Sequence, residues 1–253
     1  MKELSETRQA KLLSATQARL EHGRRNQALS TSKVQSFSLD HARAQAAVHS
    51  TLDTEQTATL LQAHRLPSTV VSSSATSRDE YIKRPDLGRV LPQTAVENLA
   101  KCAGDIDVAV VLGDGLSATA SNLNGPTFLI SLVEALEGCG LSVSPVVLAH
   151  QCRVALGDGI AQALNAEIVV VALGERPGLS AADSLGCYVT YRPTFDTQDS
   201  ARNCISNIRE NGLSVAEAVA QAVALIKAMR KYGKSGVTLS VDTDTGRRSP
   251  VEG

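Results

Sequence analysis

Four apolar runs set the architecture of this chain: "DVAVVLGDG", "LSVSPVVLA", "EIVVVALGE" and "CYVTYRP". Each has the length of a buried strand. "GPTFLISLVEALEGCG" and "ALGDGIAQALNA" fall among them and read as helices, and "SVAEAVAQAVALIKAMRKYG" follows as a long amphipathic helix with cations in its last turn. Strands alternating with helices of this length predict right-handed β-α-β units. The expected fold is therefore α/β, with a Rossmann-like, mostly parallel sheet flanked by helices. Aromatic residues make up only 3% of the chain, and there is no Trp. Its core must come from Val, Leu, Ile and Ala, which suits a sheet covered on both faces.

Residues 1–74 read as a helical N-terminal region. "SLDHARAQAAVHSTL" carries a candidate cap at Ser38, and "DTEQTATLLQAHRL" another at Asp53 or Thr54. The first 34 residues hold seven Lys and Arg against three Glu, and the stripe Leu4, Leu12, Leu13, Leu20 is too thin to bury much. A solvated leading helix is the plainer reading there. "PSTVVSSSATSRDE" is a connector with room for an edge strand, which places a boundary between a 1–74 region and a 75–240 Rossmann-like domain. The polar tail 241–253 is expected to be disordered.

Composition removes several function classes. A net charge of -1 gives no reason for nucleic acid or an anionic membrane as an obligatory partner. No apolar run approaches the ~20 residues that cross a bilayer, and the polar first residues do not read as a signal peptide. The five cysteines are scattered without a C-x-x-C pair, as expected of reduced thiols in the cytoplasm.

Three motifs need weighing. "LGDGLSA" matches G-x-G-x-x-A between a strand and a helix, but the next strand ends "VVLAHQCRV", without the acid that would hold a ribose. A tight turn with Ser117 as helix cap is the better reading. "YGKSG" follows a helix where a phosphate loop would precede one. The histidines His22, His41, His49, His64 and His150 have no metal-ligand spacing, and no G-x-S-x-G elbow occurs. A self-contained active site is not evident. "GERPGL" ends a strand on Glu175 and Arg176, followed by Pro177 and Gly178. These charges either solvate a type II turn or meet a ligand, which would have to offer hydrogen-bond donors because a carboxylate only accepts.

"YIKRPDLGRVL", "LGDGLSA", "GERPGLSAADSLGCYVTYRP" and "CISNIRENG" together resemble the light chain of ethanolamine ammonia-lyase. The resemblance runs in order across residues 75 to 235, and long ordered motifs are more specific than a lone G-x-G. It implies an adenosylcobalamin-dependent enzyme that converts ethanolamine to acetaldehyde and ammonia. The substrate is then held by a heavy chain with a β/α barrel, and cobalamin lies between the two chains. The expected partner is that heavy chain, in a higher hetero-oligomer. This chain would supply no catalytic residue of its own.

Three cobalamin contacts follow from matching motifs: Val154 in "CRVALGD", Glu175 in "GERPGL" and Cys204 in "RNCISNI". The amides on the corrin rim want acceptors, which Glu175 offers, while Val154 and Cys204 give apolar and polarizable contact. No histidine stands in the D-x-H-x-x-G setting that replaces the lower base, so base-on adenosylcobalamin is expected unless the heavy chain supplies a histidine, with no metal ligand from this chain. The resemblance leaves open a cytoplasmic location inside or outside a bacterial microcompartment. Two rival readings are a stand-alone nucleotide-binding module centred on "LGDGLSA" and a non-enzymatic scaffold docked by its helical N-terminus.

Overall fold

The computed structural model describes residue 11, residues 30–242 and residues 247–250. The expected stripe Leu4, Leu12, Leu13, Leu20 lies outside the described residues. Helix α1 (Thr31–His49) is capped by Ser30, whose side chain accepts from Lys33 N. Ser38, the cap expected from sequence, lies within it. Helix α2 (Thr54–Ala63) starts on Asp53, whose carboxylate accepts from Gln56 N.

The six-stranded sheet contains β1 (Ser68–Ser72), β2 (Ile106–Gly113), β3 (Val146–His150), β4 (Ala166–Gly174), β5 (Leu185–Tyr191) and β6 (Asn203–Ile208), in the spatial order β1-β3-β2-β4-β5-β6. The first four strands in that order are parallel to their neighbours. β5 and β6 are not. β5 runs antiparallel to β4, and β6 antiparallel to β5. The sheet is mixed, which corrects the expectation of a mostly parallel one. The reason is the connection. Residues 175–184 join β4 to β5 without a helix, and a parallel return needs a crossover of a dozen or more residues.

Helices α3 (Arg78–Lys83) and α4 (Gln93–Ala100) precede β2; α5 (Ala118–Glu137), α6 (Leu156–Leu164) and α7 (Val215–Tyr232) follow β2, β3 and β6. α5 and α7 cover one face over a large core containing Phe128, Leu132, Val110, Leu225 and Met229. α4 and α6 cover the other over Leu99, Val111, Leu156, Ile160 and Val171. Central strands buried on both faces explain why "DVAVVL" and "EIVVVAL" are continuous apolar runs. β1, on the N-terminal side of the expected boundary at 74/75, is an edge strand of this sheet. Beyond α7, β7 (Leu239–Asp242) pairs antiparallel with β8 (Arg247–Pro250), within the tail expected to be disordered; residues 243–246 and 251–253 lie outside the described residues.

Candidate functional site

The sheet brings two of the three expected site residues, Val154 and Cys204, toward one face. Gly186 lies opposite Leu173 and Tyr188 opposite Val171, whose side chains belong to the core beneath α6. Cys204 lies opposite Tyr188 on the next strand. Val154, in the step between β3 and α6, packs against that same core. Val154 and Cys204 therefore line one cleft of about 360 Å³, with Arg89, Arg153, Tyr188 and Arg202. Arg89, Ala155, Asp199 and Arg202 also line an adjoining recess of about 410 Å³. A larger groove, of about 630 Å³ between α5 and α7, lies on the opposite face and holds none of the expected residues.

Glu175 is not in the lining of the cleft. It stands at the end of β4, half-buried, where its Oε2 accepts from Ser184 Oγ at 2.5 Å and from the Asn207 amide at 3.3 Å. Its backbone N–H bonds Ser184 O at 2.9 Å. Oε1 lies near Gly186, where an added Cβ would sit 3.0 Å from it and 3.2 Å from the Tyr188 ring. Gly186 thus keeps the space between Glu175 and Tyr188 open. Arg176 is exposed, and Gly178 is not among the positive-φ residues. The type II turn considered from sequence is absent. Gly178 and Ala181 instead exchange backbone hydrogen bonds at 3.2 and 3.3 Å.

The "GERPGL" loop is held from α5. Ser117 Oγ donates to Ala182 O at 2.7 Å, and Asn124 Nδ2 donates to Asp183 O at 2.8 Å. Ser117 also caps α5, accepting from Ala120 N at 3.1 Å, as read from sequence. The two glycines at this contact are forced. Gly115 has φ +55, and a Cβ there would lie 2.2 Å from Gly174 O; a Cβ on Gly174 would lie 1.8 Å from Ser117 O. "LGDG" therefore uses its glycine for close backbone approach within the chain, and its buried Asp114 carboxylate is taken up by the Gln151 and Cys152 amides.

Sequence reasoning missed Tyr188, Arg89, Arg153 and Arg202. Burial pushes the Tyr188 hydroxyl up, reinforced by Cys204 and Glu175, so it stays protonated near neutral pH as a donor. Burial also pushes the exposed Cys204 thiol up, against hydrogen bonds with Ser206 and Tyr188. Arg153 stacks 4.4 Å from the Tyr81 ring centroid. Alternation along "CYVTYRP" was the available signal for Tyr188. Arg89, Arg153 and Arg202 stand within the quoted runs "YIKRPDLGRVL", "CRVALGD" and "RNCISNI", but nothing local to those runs marks the three as facing one cleft. Among the described residues, no group of three or more His, Cys, Asp or Glu is placed to hold a metal ion. No helix of the described residues is long and apolar enough to cross a membrane.

The family model described as "Ethanolamine ammonia-lyase light chain" matches residues 6–240. The chain belongs to the ethanolamine ammonia-lyase light-chain family. It is 42% identical over 239 residues to the ethanolamine ammonia-lyase small subunit of Xanthomonas campestris pv. campestris (strain B100), covering 93% of this chain and 88% of that protein. It is 41% identical over 242 residues to the small subunit of Rhodococcus erythropolis, covering 95% and 91%. With that of Pseudomonas fluorescens (strain Pf0-1) it shares 40% identity over 228 residues, covering 88% and 83%. The chain is accordingly a subunit of a lyase, and a light chain implies a heavy-chain partner.

Proposed function

We propose that this light chain forms one wall of an adenosylcobalamin site at the interface with its heavy chain, in the conversion of ethanolamine to acetaldehyde and ammonia. The carrying observation is that Val154 and Cys204, distant in sequence, line one cleft with Tyr188. The residues suit the group. A recess of about 360 Å³ is at the low end of pockets for drug-sized ligands, so it takes one edge of a corrinoid and leaves the rest to the partner. Val154 offers apolar contact, Cys204 a polarizable edge, Tyr188 a hydroxyl, and Oε1 of Glu175, the oxygen that bonds neither Ser184 nor Asn207, an acceptor for rim amides. When bound, adenosylcobalamin supplies the radical chemistry, while the protein binds and orients. No histidine of this chain has the D-x-H-x-x-G setting, so the cofactor is base-on unless the heavy chain supplies a histidine.

Glu175→Gln tests this reading. Its amide oxygen can keep the bonds from Ser184 and Asn207, while the amide nitrogen takes the place of Oε1. The acceptor offered to the rim amides becomes a donor facing donors. A hydrogen bond to a charged acceptor is worth about 1.5–3 kcal/mol, roughly 10- to 150-fold in affinity. The adenosylcobalamin Kd of the two-chain complex should rise by that factor with little change in the Tm of the apo complex. A Kd within about twofold of wild type would leave Glu175 as a solvated loop residue.

A further inference from the structure

Cys152 is where three separate stretches of the chain meet. It lies at the end of the step from β3 to Val154 and is fully buried. Its N–H donates to Asp114 Oδ1 at 2.9 Å, and its carbonyl accepts from the Tyr81 hydroxyl at 2.9 Å. The second carboxylate oxygen, Asp114 Oδ2, accepts from Gln151 N at 2.8 Å. Gln151 has φ +49, a left-handed conformation that a residue with a Cβ holds only under external constraint. Arg153 N then bonds Gly88 O at 2.9 Å, beside Tyr81. The next residue is Val154.

Asp114 and Tyr81 are themselves fixed. Asp114 is 2% exposed and Tyr81 fully buried. Arg78 Nη1 stands 3.2 Å from Asp114 Oδ2, and Arg78 Nε donates to Val48 O at 2.7 Å. Both Nη atoms of Arg78 are buried without a hydrogen-bond partner among the described residues, so the Asp114 charge is their compensation. A neutral hydrophobic contact would also fill this space. It could not hold two adjacent amide groups at once, one on each oxygen.

We infer that Asp114 and Tyr81 are positioning residues for the cofactor site, clamping the Gln151–Cys152 step from opposite sides so that Arg153 and Val154 are presented to the cleft. Neither residue lines the cleft, so they act through the step and not on the ligand. The inference rests on the reading of Val154 as a cofactor contact, and its test separates the two.

The test uses the light–heavy complex with three variants. Asp114→Asn removes one of two acceptors and sets an amide donor against a backbone N–H. Tyr81→Phe removes only the hydroxyl and keeps the ring. Val154→Asp puts a charge into the cleft and leaves the clamp untouched. Adenosylcobalamin Kd is read by spectral titration, and amide hydrogen exchange is compared between residues 151–155 and strands β2 and β4. Asp114→Asn should raise Kd about tenfold and Tyr81→Phe about threefold, each with faster exchange confined to residues 151–155. Val154→Asp should raise Kd without changing exchange in β2 or β4. If Val154→Asp leaves Kd unchanged, the reading of Val154 fails and the inference with it. If Val154→Asp weakens binding but Tyr81→Phe and a folded Asp114→Asn do not, the clamp is overturned and the cofactor reading stands. Exchange that accelerates throughout the sheet in both clamp variants would make them ordinary core residues. Should Asp114→Asn fail to fold, Tyr81→Phe decides by the same two readouts.

Discussion

Arg202 grips Asp158 with both terminal nitrogens, each 2.7 Å from a carboxylate oxygen, and the two side chains are only 4% and 3% exposed. This fork joins the first turn of α6 to the start of β6, two residues before Cys204, and so ties the two walls of the cleft together. Burial pushes the Asp158 carboxyl up, and Arg202 opposes that shift. Breaking this pair from one side leaves the buried Arg202 guanidinium with only the exposed Asp199 carboxylate, 3.3 Å from its Nε, as counter-charge. Asp158→Asn should therefore cost about 3–5 kcal/mol in denaturant unfolding. Replacing both residues with apolar ones of similar volume, Asp158→Leu with Arg202→Met, should recover most of the loss. A single variant costing under about 1 kcal/mol would mean that the fork does not hold the walls.

The Cys204 thiol gives a pH-dependent probe. Its pKa lies above the ordinary 9.0 because burial and the nearby Glu175 disfavour the thiolate. A raised thiol pKa means less thiolate at neutral pH, and only the thiolate is alkylated. Iodoacetamide should thus label Cys204 slowly at pH 7.5, with a rate climbing about tenfold per pH unit up to pH 9. Glu175→Gln removes a neighbouring negative charge and should speed labelling. Bound adenosylcobalamin should protect the site if Cys204 contacts it. Mass spectrometry of the Cys204 peptide reads all three effects, with the buried Cys152 and Cys187 as unreactive internal standards.

Gly115 tests the close approach of "LGDG" to the end of β4. In Gly115→Ala the new Cβ meets a backbone carbonyl at 2.2 Å in a left-handed conformation, so no side chain can move aside. The expected cost is about 3 kcal/mol or more. Gly104→Ala, where a Cβ meets nothing within 4 Å, should change Tm little. Equal stability of the two variants would contradict the packing described.

Ser214 provides a control away from the cleft. It forms a capping box with Glu217 at the start of α7: its side chain accepts from Glu217 N while Glu217 accepts from Ser214 N at 3.1 Å. Ser214→Ala should lower stability by about 0.5–2 kcal/mol. Its adenosylcobalamin Kd should match that of wild type, because α7 covers the face opposite the cleft. A weakened Kd here would show that affinity follows global stability, and would undercut the interpretation of the other variants.

Much of the fold was legible because local pattern and burial agree. The runs "DVAVVL" and "EIVVVAL" are buried on both faces, and α6 and α7 appear where their periodicity placed them. β5 was legible as a strand, but its direction was not. Direction depends on whether the chain crosses the sheet, and that is decided by the short, helix-free 175–184 connection. β6 carries an irregular "NCISNI" pattern with a positive φ at Asn207, so its alternation is broken and the strand was not read.

By itself the sequence determined the alternation of strands and helices, the aliphatic core, the Ser117 cap, a cap at Asp53 or Thr54, and the motifs that carry the family. Those are properties of neighbouring residues, which hydrophobic period and capping chemistry encode locally. Only the tertiary structure decided that Val154 and Cys204 share a cleft while Glu175 stands at the end of β4 outside its lining, that Tyr188 lies between Glu175 and Cys204, and that Asp114 and Tyr81 hold Cys152 from two sides. These are contacts between segments separated by tens of residues. They follow from strand order and register, which short-range pattern does not specify and which packing of the whole sheet fixes at once.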